Sequence, residues 1–294
     1  MPDAITTAFV NDYKATIDLL LQQSGSRFER AVMVDSYVGK AGKAVEQFGP
    51  ATAQKKTGRH SDTPLLDVPQ DARWVFPVDY EWASLIDDQD KLRMIVDPTS
   101  AYAVNGANAM ARAKDDEIIA AFFANALTGE NGTTSTAYGS SSYQVGVDVG
   151  GTASSLNVAK LQSALQKLMA ANKGEIQEPL YCAISSYEHD ALLKEIQVVN
   201  KDYNNQMVLE DGRIRRFMGF EFIITERLAI SSGNRLIPAW VKSGMHLGMW
   251  NDINAKITER ADKGYATQVY LAGTFGATRL QEGKVIQILC DDQI

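Results

Sequence analysis

The stretch DPTSAYAVNGANAMARAKDDEIIAAFFANALTG, residues 97–129, reads as one long helix. Asp97 is a good N-cap, because its carboxylate can accept a hydrogen bond from a first-turn N–H that has no helical partner. Pro98 follows at the first helical position, where its missing N–H costs nothing. The interior is rich in Ala, Met, Glu, Lys and Arg, which lose little entropy in a helix. Gly129 is placed to adopt the left-handed conformation that closes the far end. About thirty residues at 1.5 Å each give a rod of roughly 45 Å, well beyond the usual globular helix. Such a rod, flanked by strand-rich sequence, predicts a spine against which sheets are packed.

Working outward, the chain ahead of the helix changes character several times. Residues 4–23 carry Ile5, Phe9, Tyr13, Ile17 and Leu20 or Leu21 at helical spacing, with one apolar face. That face suits a core or an arm laid on a partner. RAVMVDSYVG (30–39) reads as a strand. Residues 39–70 are rich in Gly, Pro, Thr, Lys and Gln, and they cannot bury a core of their own. Long excursions of this kind are functional or disordered. Its basic residues Lys55, Lys56 and Arg59 fall near the tip, with His60 beside them. In ARWVFPVDYEWAS, Trp74, Phe76, Val78, Tyr80 and Trp82 alternate with Arg73, Val75, Pro77, Asp79 and Glu81. Period two predicts a strand with an aromatic face. Pro77 cannot donate to a ladder, so one side of the strand is free there. Trp74 and Trp82 need cover, from the chain's own helix or from a neighbour, because aromatics are enriched at interfaces.

Behind the helix, residues 128–155 form a Gly-, Ser- and Thr-rich boundary. Residues 156–250 read as an α/β lobe: a helix with Leu156, Leu161, Leu165 and Leu168 or Met169 on one face, a short buried strand PLYCAIS (179–185), a Ser-capped helix at 186–197, a polar loop 200–214 with an Asp211-Gly212 turn, and strands at 217–228 and 235–250. In the tail, Tyr265, Thr267, Val269 and Leu271 alternate, Glu282-Gly283 turns the chain, and VIQIL is a buried strand. A helix as long as the spine needs a sheet. The tail strands are therefore expected beside it, with 156–250 inserted between.

Composition bounds the function. The chain has 294 residues, 45% hydrophobic and 22% charged, with a net charge of −7. No segment is strongly basic, which disfavours sequence-specific nucleic-acid binding. Cys182 and Cys290 lie in apolar runs and read as buried thiols in a reducing compartment, not as a metal motif or a disulfide framework. Neither a signal peptide nor a membrane span is expected. The three histidines, at 60, 189 and 246, have no ligand-like spacing, and the Walker, GxGxxG, GxSxG and HExxH patterns are absent. In Asp87-Asp88, Asp115-Asp116 and Asp291-Asp292 the two carboxylates are adjacent and do not share a helix or strand face, and all three pairs are expected to be solvated. Val147-Asp148-Val149-Gly150-Gly151-Thr152 resembles the phosphate-binding hairpin of sugar-kinase and actin-like ATPases, which leaves an ATP-binding enzyme as an alternative. No second phosphate loop accompanies it. The polar residues do not converge on a catalytic site, so no enzyme, metal or cofactor is expected.

The order of these features resembles the HK97-like major capsid proteins of tailed bacteriophages, over nearly the whole chain. QKKTGRHSDTPLLDVPQDARWVFPVDYEWASLIDDQDK, the helix after it, and MGFEFIITERL carry the likeness. The resemblance implies an α+β fold with an N-terminal arm (1–30), an extended E-loop and flanking strands (31–86), a peripheral domain (87–155) with a spine helix at 97–128, an inserted axial domain (156–250) and returning strands (251–294). It implies a structural protein that self-assembles as hexamers and pentamers into an icosahedral shell around phage DNA, with weak nonspecific DNA contact. Portal, scaffolding and decoration proteins are expected partners, and the virion and the assembling host cytoplasm are expected locations. An encapsulin-like compartment is the alternative within the fold. Lys55, Lys56 and Arg59 are expected to meet a neighbour's Asp115, Asp116 and Glu117, with Trp74 and Trp82 also at the interface.

Overall fold

The structure is a computed structural model that describes residues 22–56, 58–59, 65, 67–87, 99–149, 151–195, 209–210 and 213–291. Strands β1 (Met33–Ser36), β2 (Gly42–Phe48), β3 (Gln70–Val75) and β4 (Val78–Ile86) precede helix α1 (Thr99–Phe123). Strands β5 (Ala126–Thr128) and β6 (Thr134–Thr136), the helical turn α2 (Ser140–Tyr143) and β7 (Gln144–Val145) follow. Next come α3 (Val158–Asn172), β8 (Leu180–Ile184), α4 (Ser186–Lys194), β9 (Leu209–Glu210), β10 (Arg213–Ile214) and β11 (Arg216–Phe217). The chain ends in β12 (Phe220–Ile224), β13 (Ile230–Ser231), β14 (Asn234–Val241), β15 (Met245–Arg260), β16 (Ala266–Arg279) and β17 (Val285–Asp291).

The described residues fall into two compact units. One holds 22–25, 80–87, 99–112 and 253–273; the other holds the rest. In the first, Trp82 lies against α1 at Gly106, where an added Cβ would sit 2.5 Å from its ring and 2.7 Å from Leu271. The aromatic strand is thus covered at Trp82 by its own helix. Tyr270 donates to the Glu81 carboxylate at 3.3 Å.

The second unit carries a seven-stranded sheet in the order β11-β12-β8-β14-β17-β7, with β13 on β14. Its central strand β8 is buried at every position, as a strand covered on both faces requires. Helix α3 is capped by Asn157, whose side chain accepts from Lys160 N, and it buries Val158, Leu161, Ala164 and Leu168. Leu156, Leu161 and Leu168 are buried as expected, Leu165 is half-buried and Met169 is exposed. Helix α4 starts at Ser185 with a capping box: Ser185 accepts at the first turn while Glu188 accepts from Ser185 N.

Three expectations change. Helix α1 stops at Phe123, because the next residues pair as β5 with β3, Leu127 opposite Trp74. Gly129 does take positive φ, +86°, but there it closes the β5–β6 hairpin. The cap at Asp97 and Pro98 and the apolar face at 4–21 lie outside the described residues. Second, the aromatic strand is broken at Phe76-Pro77. Its halves belong to different sheets, β3 to β2-β3-β5-β6 and β4 to β1-β15-β16-β4. Third, the tail divides. Strand β16 pairs beside β4, but β17 pairs antiparallel with β14 across seven residues, Asn234 opposite Asp291 through Trp240 opposite Val285. Hydrophobic VIQIL finds two covered faces in that sheet, and this outweighs proximity in sequence to β16. Both thiols are fully buried as expected, and burial pushes Cys290 up to about 12 and Cys182 well above its ordinary range.

Candidate functional site

The residues expected to make contacts between subunits sit in three settings. The acidic trio on α1 comes first. Asp115 is fully buried. Its carboxylate accepts from Ser26 Oγ at 2.5 Å, Arg27 N at 3.0 Å and Phe28 N at 3.3 Å. It thereby satisfies N–H groups at the start of the 3-10 turn Glu29–Ala31, as an N-cap would, but from a distant part of the chain. Phe28 is fully buried against Trp240 (centroids 5.9 Å) and Phe122 (6.2 Å), and Trp240 Nε1 donates to Ala31 O at 2.9 Å. Asp116 accepts two bonds from the Arg227 guanidinium, one from Nε at 2.6 Å. The pairing raises the Arg227 pKa. Glu117 is half-buried. The expectation that the pair is solvated is corrected for Asp115, while the Asp116 side chain stays half-exposed. The sequence gives no sign that Ser26–Phe28 return to this helix face. Lys114, also buried, reaches Glu29 at 3.2 Å and Asp252 at 3.6 Å.

The basic residues lie elsewhere. Strands β2 and β3 form an antiparallel ribbon with an irregularity between Lys43 and Val45. Beyond it the described residues 51–56, 58–59, 65 and 67–69 are all exposed, Lys55, Lys56 and Arg59 among them. Leu65 is 96% exposed.

The base of this excursion is the third setting. Arg73 on β3 is buried and pairs with Glu282 at 3.0 Å. Arg279, fully buried, donates to Phe122 O at 2.8 Å and Ala124 O at 2.9 Å, and lies 4.9 Å over the Tyr138 ring. Desolvation lowers the Arg279 pKa, and burial raises that of Tyr138. Trp74 Nε1 donates to Gly129 O at 2.7 Å, with the Lys43 ammonium 5.6 Å from its ring centroid. Trp74 is therefore engaged within the chain, half-buried, like Trp82.

A single family model covers the chain. Its description is phage capsid protein, and it matches residues 5–292. This chain belongs to the phage capsid protein family.

Solved structures of similar fold agree. The capsid protein is 14% identical to a chain of the cyanophage P-SCSP1u capsid, covering 97% of this chain and 94% of that one with a TM-score of 0.75. It is 9% identical to a chain of the Ralstonia phage GP4 capsid (100% and 96% covered, TM-score 0.74) and 12% identical to one of Helicobacter pylori bacteriophage KHP30 (99% and 98%, 0.73). At these identities the likeness is one of fold, HK97-like and α+β. No curated protein matches the sequence. The capsid protein has a structural role: it is a major capsid protein of the virion shell and not an enzyme.

The family does not favour the encapsulin-like or ATP-binding alternatives. The segment behind the latter is a closed turn in this capsid protein. Ser154 N donates to Val147 O, Gly151 N to Asp148 O, and Asn157 Nδ2 to Val149 O. Gly150 lies outside the described residues. The Lys160 ammonium beside it is fully buried and donates to the carbonyls of Ser154 and Leu289. Desolvation lowers its pKa. The segment thus ties α3 to β17. Among the described residues no group of three His, Cys, Asp or Glu is placed to hold a metal ion, and no helix is long and apolar enough to cross a membrane.

Proposed function

We propose that copies of this capsid protein assemble as hexamers and pentamers into the icosahedral head of a tailed phage, through non-covalent contacts made largely by the β2–β3 excursion acting as an E-loop. The observation that carries this reading is the exposure of that excursion's described residues, including three cations and a leucine. Such a surface gains area by lying over a neighbour, without a static core of its own. Residues 1–30 are assigned as the arm, 31–86 as the E-loop with its strands, 87–155 as the peripheral domain, 156–250 as the axial domain and 251–294 as the return. The pairing of β17 with β14 favours counting 285–291 with the axial sheet.

Lys55, Lys56 and Arg59 are proposed to meet acidic groups on the adjacent subunit. Asp115 is fully buried on intrachain donors, so the proposed acceptors are the half-buried Asp116 and Glu117 of the same helix. Assembly takes place in the host cytoplasm, a setting that suits two free buried thiols. Portal, scaffolding and decoration proteins join the same shell, and packaged DNA is touched weakly and without sequence preference. Expression of the chain alone, followed by size exclusion and electron microscopy, tests the reading. Closed shells are expected, and a small soluble oligomer under all assembly conditions would count against it.

A further inference from the structure

One open groove in the larger unit gathers positive charge. It has a volume of about 880 Å³ and is lined by Arg27, Arg30, Arg213, Arg215, Arg216 and Glu221. Among the described residues its lining holds five arginines and one glutamate, in a chain whose net charge is −7. Two of the arginines come from the segment that Asp115 anchors. The other three come from β10, β11 and the residue between them. Ile214 and Phe217 are buried, while Arg213, Arg215 and Arg216 are exposed. Arg30 pairs with Glu221 at 3.1 Å, and Arg27 Nη1 donates to Ile224 O. These contacts hold two guanidinium groups in place along the groove. The apolar neighbours do the packing, and the arginines set like charges along one surface, which favours an anion there.

We propose that this groove binds the phosphate backbone of the packaged DNA, without reading its bases; this rests on the capsid reading above. Every cation lining it is arginine, whose planar fork meets phosphate oxygens bidentately. Alternate residues of an extended segment lie about 6.6 Å apart, so Arg213 and Arg215 offer repeated charge to a linear polyanion. Among the described residues of the lining the one aromatic, Phe222, is buried. Phe222 offers bases no stacking face, so among the described residues contact is through charge. An acidic segment of a second copy is the competing occupant, and the test separates the two.

The test uses unassembled subunits and a fluorescein-labelled, mixed-sequence duplex of about 30 base pairs, titrated by anisotropy across a salt series. Each phosphate contact contributes a slope of about −0.9 in log affinity against log salt. The R213S/R215S/R216S variant is expected to flatten the slope by about 2.7 and to lose more than about tenfold in affinity at low salt. The corresponding triple Arg→Lys variant should retain most of both, and circular dichroism of the two variants should match wild type. Lys55→Ser, Lys56→Ser and Arg59→Ser together should leave the slope unchanged. Wild-type affinity and slope in the R213S/R215S/R216S variant would overturn the proposal. If that variant kept DNA binding but lost shells in electron microscopy, the groove would belong to a contact between subunits. Failure of wild type to form shells speaks against the capsid reading alone; the titration judges the groove independently.

Discussion

At the scale of single residues, two buried titratable groups do unlike work. Asp115 replaces water for a hydroxyl and two backbone amides of 26–28. Asp115→Ala strands those donors, and hydrogen bonds to a charged group are worth about 1.5–3 kcal/mol each. A loss of about 3 kcal/mol is expected, read as a lower urea midpoint of the unassembled subunit, with Asp115→Asn intermediate. His246 is 1% exposed; its Nε2 is 2.8 Å from Tyr37 Oη and its ring stands edge-on to Tyr37. Desolvation lowers its pKa, and Asp35, 3.7 Å away, offsets this in part. The unfolded chain therefore takes up the proton first as pH falls. The contribution of His246 is fully present above its ordinary value near 6.5 and is lost below that value, down to its folded pKa. Subunit stability followed between about pH 8 and 5 should fall in that window, and His246→Gln should remove part of the slope.

At the scale of elements, glycine marks where backbones meet. Gly276 on β16 faces Phe76 so closely that a Cβ would lie 2.1 Å from the Phe76 carbonyl oxygen. This is where the aromatic strand breaks at Pro77. A backbone oxygen cannot rotate aside as a side chain can. Gly276→Ala is expected to cost about 3 kcal/mol through overpacking, measured by the thermal midpoint. Gly106→Ala should cost less, because the Trp82 ring can shift and alanine favours the helix by up to about 1 kcal/mol.

At the scale of the whole molecule, the excursion beyond β2 and β3 contributes little to the fold of its own chain. Lys55→Glu, Lys56→Glu and Arg59→Glu together should leave the circular dichroism and melting of the subunit within about 0.5 kcal/mol of wild type, as surface changes do. Shell yield in electron microscopy should fall sharply. Normal shells from the triple variant would remove these three residues from the interface.

The local signals decided much of this capsid protein. The helix from Thr99 is written in small and long-chain residues, the α3 and α4 caps in Asn157 and Ser185, the exposed excursion in its lack of apolar residues, and the buried thiols in their apolar runs. These are short-range properties, legible within one or two turns of chain. Where α1 ends, which sheet takes VIQIL and why Asp115 is buried depended on partners 50 to 150 residues away, through competition for hydrogen-bonding edges and covered faces. The arginine groove is the clearest case. The run Arg213-Ile214-Arg215-Arg216 is basic as written, but Arg27 and Arg30 stand almost two hundred residues away and no window of sequence joins them to it. Only tertiary packing of Ile214, Phe217 and Phe28 brings like charges to one surface, because apolar burial at those positions outweighs the repulsion between the arginines beside them.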